Sequence, residues 1–345
     1  MWNAVIDMQL NRIEEVSRVL RSWTPEQTKT YIQKLPIWDN DVQVEQKFGG
    51  LQNRTFFVTT QEGKKYAARV GFDQLRTRQT SVVQCTMAAH ALGLGPGLLY
   101  SEPNLSITEF VDGEGMQLEQ MKDPAIMKRV IDRMKILHSG ADALSETISY
   151  WWPFDTVRRY LRNMETGKPA TGMKPSLWAD RAPEYREITR RLERAIAPFI
   201  PCLTHNDMVF VNMIVDRKDE IMFIDWDGGA YGHPMWDLGE MLMWAEADEE
   251  TNRRALQQYF GGLDDAALEQ RMHEIHAFQV IAALRLCTEV MEADLDPYFF
   301  LTPDEMAESM RLILPGERPS LAGLVDLVLP RFESLWAQYQ HEFPA

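Results

Sequence analysis

Apolar positions along this chain change their period, and the changes divide it into stretches of different structure. Val5, Met8, Ile13, Val16 and Leu20 fall near helical spacing, and Thr24-Pro25-Glu26-Gln27 reads as an N-cap with proline in the first turn of a second helix. From Val42 to about Val111 the pattern alternates in short runs, Val42–Phe48, Arg54–Thr60 and Lys65–Val70, with Gly49-Gly50 and Gln61-Glu62-Gly63 supplying turns. That period of two predicts three antiparallel strands. A helix is expected from about Thr77 to Leu92, then two further strands at Leu98–Tyr100 and Ser106–Val111. After Asp112-Gly113-Glu114-Gly115 the pattern turns helical. Ile126, Val130, Ile131, Met134 and Leu137 share one face of Pro124–Gly140, and Leu321–Tyr339 is similarly amphipathic, with a kink or break expected at Pro330. One exception interrupts the helices: Phe210–Val215 and Glu220–Ile224 are short apolar runs joined by Asp216-Arg217-Lys218-Asp219, which predicts a hairpin.

The chain has 345 residues, 45% of them hydrophobic, which suffices for about two domains with cores of their own. A boundary near Gly113 divides it into 1–112 and 113–345. The net charge of -15 argues against nucleic acid or an anionic membrane as partner and would attract a cationic ligand. Cys85, Cys202 and Cys287 are few and scattered, as expected of reduced thiols in a cytoplasmic protein. Asp7, Arg12, Glu14 and Glu15 break up the first twenty residues, so no signal peptide is expected, and no run reaches the length of a membrane span.

Chemistry concentrates around the hairpin. His205-Asn206-Asp207 precedes it, Asn212 lies in its first run, and Asp225-Trp226-Asp227 follows it. Asp207 can accept a hydroxyl proton, while Asn212 and Asp225 are hard oxygen ligands of the kind Mg²⁺ takes when it also binds nucleotide phosphates. A hairpin brings its outer ends together, so Asp207 and Asp225 would face one site. Singly, each residue is an ordinary loop residue; the combination points to phosphoryl transfer.

These residues resemble the H-x-D-x-x-x-x-N and I-D-W-[DE] signatures of the choline kinase and aminoglycoside phosphotransferase superfamily, and Asn206 and the run Gly228–Leu238 tilt the likeness toward choline and ethanolamine kinases. The resemblance implies an α+β, two-lobed, protein-kinase-like fold: a small lobe with a five-stranded antiparallel sheet and one helix in 1–112, and a larger, mainly helical lobe in 113–345. It implies ATP and Mg²⁺ as cofactors and a small-molecule hydroxyl as acceptor, with a homodimer as a further expectation. Asp207 would be the catalytic residue, Asn212 and Asp225 metal ligands, and Asp227 a second metal or orienting group. Gly49, Gly50, Asn53, Arg54 and Thr55 resemble a phosphate loop, Arg69 takes the third-strand position of the phosphate-holding cation, and the Glu109 and Val111 backbone would hold adenine. Asp237 and His138 are expected in structural roles, and His205 as a brace.

Choline-type acceptors are held by aromatic faces and a carboxylate. Trp226, Trp236 and Trp244, with Glu240 and Glu246, lie close in sequence to the catalytic run, and Trp226, Glu240 and Trp244 are the candidate substrate walls. The acceptor expected on this basis is choline, ethanolamine or a related amino alcohol. An aminoglycoside, thiamine or another sugar or alcohol, or a non-catalytic ligand-binding pseudokinase, are the alternatives. Two departures bear on this. Thr77–Leu92 carries no acid to pair with Arg69, leaving Gln79 or Gln84 as its helix partners, and Phe278–Val290 carries Arg285 and no Trp. His273 and His276 are three apart rather than the four of zinc hydrolase helices, so a solvated helix face is expected there.

Overall fold

The computed structural model describes residues 23–48, 53–71, 79–102, 104–167, 178–293, 303–311 and 321–344. The expected helix over Ala4–Leu20 and the Gly49-Gly50 turn lie outside these residues. Helix α1 (Pro25–Gln33) starts on a capping box: Gln27 N donates to Thr24 Oγ1 at 3.3 Å and Thr24 N to Gln27 Oε1 at 2.8 Å.

Strands β1 (Gln43–Lys47), β2 (Asn53–Thr59), β3 (Lys65–Gly71), β4 (Leu98–Glu102) and β5 (Leu105–Glu109) form one antiparallel sheet in the order β1-β2-β3-β5-β4. Their alternation sends Phe56, Val58, Ala68, Val70, Leu105 and Ile107 into a core shared with Ile32 and Leu35. The opposite face carries Thr55 directly across from Arg69 and turns toward the rest of the molecule. Helix α2 (Gln79–Ala91) packs the other way, with Cys85, Ala88 and Ala89 buried in the second, larger core.

That core belongs to the helices α3 (Leu118–Met121), α4 (Pro124–His138), α5 (Pro153–Thr166), α6 (Ala182–Glu193), α7 (Pro234–Trp244), α8 (Glu249–Phe260), α9 (Asp265–Ala293), α10 (Pro303–Met310) and α11 (Leu321–Glu342). Two small sheets are set into it. Strand β6 (Gly113–Gly115) pairs with β8 (Met213–Asp216), which pairs with β9 (Ile221–Phe223), and β7 (Cys202–Thr204) pairs with β10 (Ala230–Gly232). Gly113 is needed there, because a Cβ would sit 2.2 Å from Val215 O. No helix among the described residues is long and apolar enough to cross a membrane.

The structure departs from the sequence expectations in three places. The first hairpin strand begins only at Met213, because Phe210–Asn212 forms a 3₁₀ turn. Helix α11 runs unbroken through Pro330, which lies on its exposed side, while Leu324, Val325, Val328, Phe332 and Tyr339 are buried. Burying five apolar side chains at about 1.5–3 kcal/mol each outweighs the roughly 3 kcal/mol cost of an interior proline. His276 is buried rather than solvated, with Nδ1 2.7 Å from Glu342 Oε2 and Nε2 3.2 Å from Glu249 Oε2, and His273 pairs with Tyr339 OH at 2.8 Å.

Candidate active site

The loop after β7 is held from below by one fully buried carboxylate. Asp237, in the first turn of α7, accepts hydrogen bonds from His205 N and Asn206 N, both at 2.8 Å, and pairs with His138 Nε2 at 3.0 Å. His138 Nδ1 pairs in turn with Tyr259 OH at 2.6 Å. His205 Nε2 donates to Ile224 O at 2.8 Å, which ties the loop to the end of the hairpin, and burial lowers the pKa of its imidazole. Asn206 takes a φ of 65°, a left-handed geometry that Asn tolerates better than most side chains. Asp237, His138 and His205 are thus braces, as their sequence context suggested.

This frame presents Asp207. Asn212 Nδ2 donates to Asp207 O at 3.0 Å and to its Oδ2 at 2.7 Å, a contact set up by the 3₁₀ turn. Ile224 N donates to Asn212 O at 2.9 Å, so the two hairpin ends meet as expected. Asp225 follows with a φ of 67° and Asp227 sits in the next turn. Asp207 and Asp227 keep 38% and 40% of their side-chain surface exposed, enough to meet a ligand. Burial raises the Asp207 pKa while Arg285 pulls it down. Burial also pushes Asp225 up to about 6, with Arg69 opposing and the charges of Asp227 and Asp207 adding to the rise.

Two small-lobe residues reach across. Arg69 Nη2 lies 2.7 Å from Asp225 Oδ1 and 3.2 Å from Asp227 Oδ2, and Asn53 Nδ2 donates to Asp227 Oδ2 at 2.9 Å. Burial works against the Arg69 charge, but Asp225 and Asp227 outweigh it and raise its pKa. The acid that α2 lacks is therefore supplied by these two carboxylates. Gln84 is not the partner: its Oε1 accepts from Ser145 N and Glu146 N at 3.1 and 3.2 Å. The side chain of Gln79 lies outside the described residues.

The donor set suits Mg²⁺. Asp225 and Asp227 are hard carboxylates, Asn212 has committed its Nδ2 to Asp207 and keeps Oδ1 to offer, and a guanidinium already bridges the two acids.

Other expected site residues fall elsewhere. Arg54 points to the opposite face of the sheet, with Nε 3.2 Å from Glu305 Oε1 on α10 and Nη1 donating to Trp23 O at 2.7 Å. Thr55 lies beside Arg69. Glu109 ends β5, with its N donating to Gly97 O at 2.8 Å, and Val111 follows, half-buried. The three candidate substrate walls are largely covered by the protein itself: Trp226, Glu240 and Trp244 are only 3%, 1% and 6% exposed. Trp226 packs on His205 with centroids 4.5 Å apart and Trp244 on Phe210 at 5.8 Å. Glu240 accepts from Met208 N at 2.7 Å and from Arg285 Nη2 at 2.8 Å. Sequence reasoning missed what Arg285 does: Nη2 lies 3.6 Å from Asp207 Oδ1 and Nη1 2.9 Å from Glu289 Oε2. Its one sequence signal is a lone cation in the otherwise apolar middle of α9.

Residues 45–275 match the pattern of the phosphotransferase enzyme family, the family of the aminoglycoside phosphotransferases. The chain belongs to this family. Over 153 residues it is 23% identical to a choline/ethanolamine kinase of Mus musculus, a stretch that makes up 42% of this chain and 38% of the mouse protein. It thus spans well under half the length of that relative. A choline/ethanolamine kinase family protein from Mesorhizobium loti has a similar fold, with a TM-score of 0.61 at 16% identity, covering 91% of this chain and 97% of that one. The choline kinase LicA from Streptococcus pneumoniae is similar at a TM-score of 0.63 and 15% identity, covering 90% and 98%, and LicA has also been solved with AMP. The family fold is α+β and two-lobed, like that of protein kinases, and the five-stranded sheet and helical lobe described above are its parts.

Proposed function

We propose that this phosphotransferase is an ATP- and Mg²⁺-dependent kinase that moves a γ-phosphoryl group onto a hydroxyl of a small molecule. The observation that carries the reading is the meeting of Asp207, Asn212, Asp225 and Asp227 at one place, with Arg69 and Asn53 reaching in from the small lobe. Asp207 orients the acceptor hydroxyl and takes its proton, and the Asn212 contact fixes the carboxylate for that task. Asn212 Oδ1, Asp225 and Asp227 would hold the metal, which would neutralise charge on the nucleotide phosphates. Arg69, placed beside these acids, would offer guanidinium donors to phosphate oxygens. The nucleotide reading draws support from LicA, solved with AMP. Three free cysteines and a need for ATP fit a cytoplasmic setting. Choline and ethanolamine, which name the relatives, are the first acceptors to test.

The experiment is ADP release with Mg·ATP across a panel of small alcohols. Turnover is expected, falling about 10²–10⁴-fold in Asp207→Ala with the fold retained. Nucleotide binding without ADP release from any acceptor would favour a pseudokinase instead.

A further inference from the structure

A site that holds an ammonium or guanidinium group is built from carboxylates and an aromatic face. The C-terminal lobe has such a box next to Asp207, and the protein fills it with a side chain of its own. Arg285 Nη2 lies 2.8 Å from Glu240 Oε1 and 3.6 Å from Asp207 Oδ1, Nη1 lies 2.9 Å from Glu289 Oε2, and the guanidinium carbon stands 5.8 Å from the Trp236 ring centre. Glu240 spends its other oxygen on Met208 N. Trp236 is fully buried and Trp226 and Trp244 nearly so, which leaves none of these three indole faces to an incoming ligand.

We propose that Arg285 is the specificity-determining residue of the acceptor site, and that the acceptor is an uncharged polyol or sugar rather than an amino alcohol. The proposal rests on the kinase reading above and names its substrate class. Position makes the first half of the argument. Asp207 has one cation on each side: Arg69 with the metal-binding carboxylates, and Arg285 on α9, so a hydroxyl that reaches Asp207 from the C-terminal lobe arrives beside a guanidinium. Charge makes the second half. A cationic acceptor would have to displace Arg285 from Asp207, Glu240 and Glu289 or sit against a largely buried guanidinium, where like charges repel strongly. An anionic acceptor would meet the carboxylates of Asp207 and Glu289, and both terminal guanidinium nitrogens are already engaged, which leaves only a buried Nε–H to draw it in. An uncharged hydroxyl compound meets neither penalty and can hydrogen-bond to the carboxylates that rim the box.

The test compares kcat/KM for choline and ethanolamine with that for glycerol, inositols, pentoses and hexoses, on the full chain with Mg·ATP. Binding of choline and tetramethylammonium is followed by calorimetry. The best uncharged acceptor should exceed both amino alcohols by about 100-fold or more, and neither ammonium compound should bind measurably. Arg285→Ala empties the box and should bind tetramethylammonium, with methylguanidinium competing for the same place. Preference of the unaltered protein for choline, or its binding of tetramethylammonium, overturns the proposal while leaving the kinase reading intact. Should no acceptor release ADP, the kinase reading fails instead, and tetramethylammonium binding still decides what occupies the box. Should Arg285→Ala not fold, the measurements on the unaltered protein decide alone.

Discussion

Glu240 has one oxygen on Met208 N and the other on Arg285, and burial pushes its pKa up to about 8, with Arg285 pulling it down. Its ordinary value is 4.5, so between about 4.5 and about 8 the folded protein holds a proton that the unfolded chain releases. Stability from this group is complete below the lower value and is lost as pH rises to the upper one, at up to about 1.4 kcal/mol per pH unit. Glu240→Gln cannot titrate there. Urea unfolding at pH 5.5, 7 and 8.5 should therefore show the stability advantage of Glu240 over Gln shrinking with pH; a constant gap would mean the carboxylate is charged throughout. The same residue shows where sequence reading stops. Asp207, Asn212 and Asp225 were legible because short spacings and one hairpin bring them together. The burial of Glu240 was not legible, because every residue from Met235 to Trp244 is buried and a helix with no exposed stripe does not reveal which side chains face the site. Arg285 was visible as an oddity but not as a neighbour of Asp207, since only tertiary packing joins α9 to the catalytic loop.

At the scale of elements, α2 connects the small-lobe sheet to the turn after Asp227. Cβ added at Gly229 would lie 2.6 Å from Cys85 Cβ and 2.8 Å from its Sγ, so helix and turn touch through a missing side chain. Gly229→Ala should cost about 1–3 kcal/mol by forcing them apart. Gly115→Ala is the control, because nothing lies within 4 Å of its added Cβ, and it should change stability by under about 0.5 kcal/mol. Equal losses at both positions would rule out the packing argument. The five main strands were legible from short alternating runs, whereas the place of β5 between β3 and β4 was not, because no turn joins β5 to β3 and only pairing across the sheet sets it there. Strand β6 was not, because Gly113-Glu114-Gly115 has no apolar signal and becomes a strand only by pairing with β8. The unbroken passage of α11 through Pro330 was hidden for the same reason: the apolar packing that overrides the proline belongs to another helix.

At the scale of the molecule, polar side chains of the described residues join the small-lobe sheet to the helical lobe at two places in particular. One is the candidate active site, where Arg69 and Asn53 meet Asp225 and Asp227. The other lies on the far face of the sheet, where Arg54 and Gln46 converge on Glu305 of α10, with Gln46 Nε2 donating at 2.7 Å. The net charge of -15 acts on arrival, by drawing cations toward the surface, but it does not choose what fits beside Asp207. The two junctions make opposite predictions for two arginines that the sequence had assigned to one phosphate site. Arg54 and Glu305 are both buried, so Arg54→Met takes the guanidinium away from a poorly solvated carboxylate and should cost about 3–5 kcal/mol. Arg54→Met with Glu305→Leu removes both charges and should recover most of that loss, together with near-normal KM for ATP. Arg69→Met should do the reverse, raising KM for ATP by tenfold or more while leaving the fold standing. If the double variant regains stability but still binds ATP poorly, Arg54 serves the nucleotide after all, and the far junction is more than a latch between the lobes.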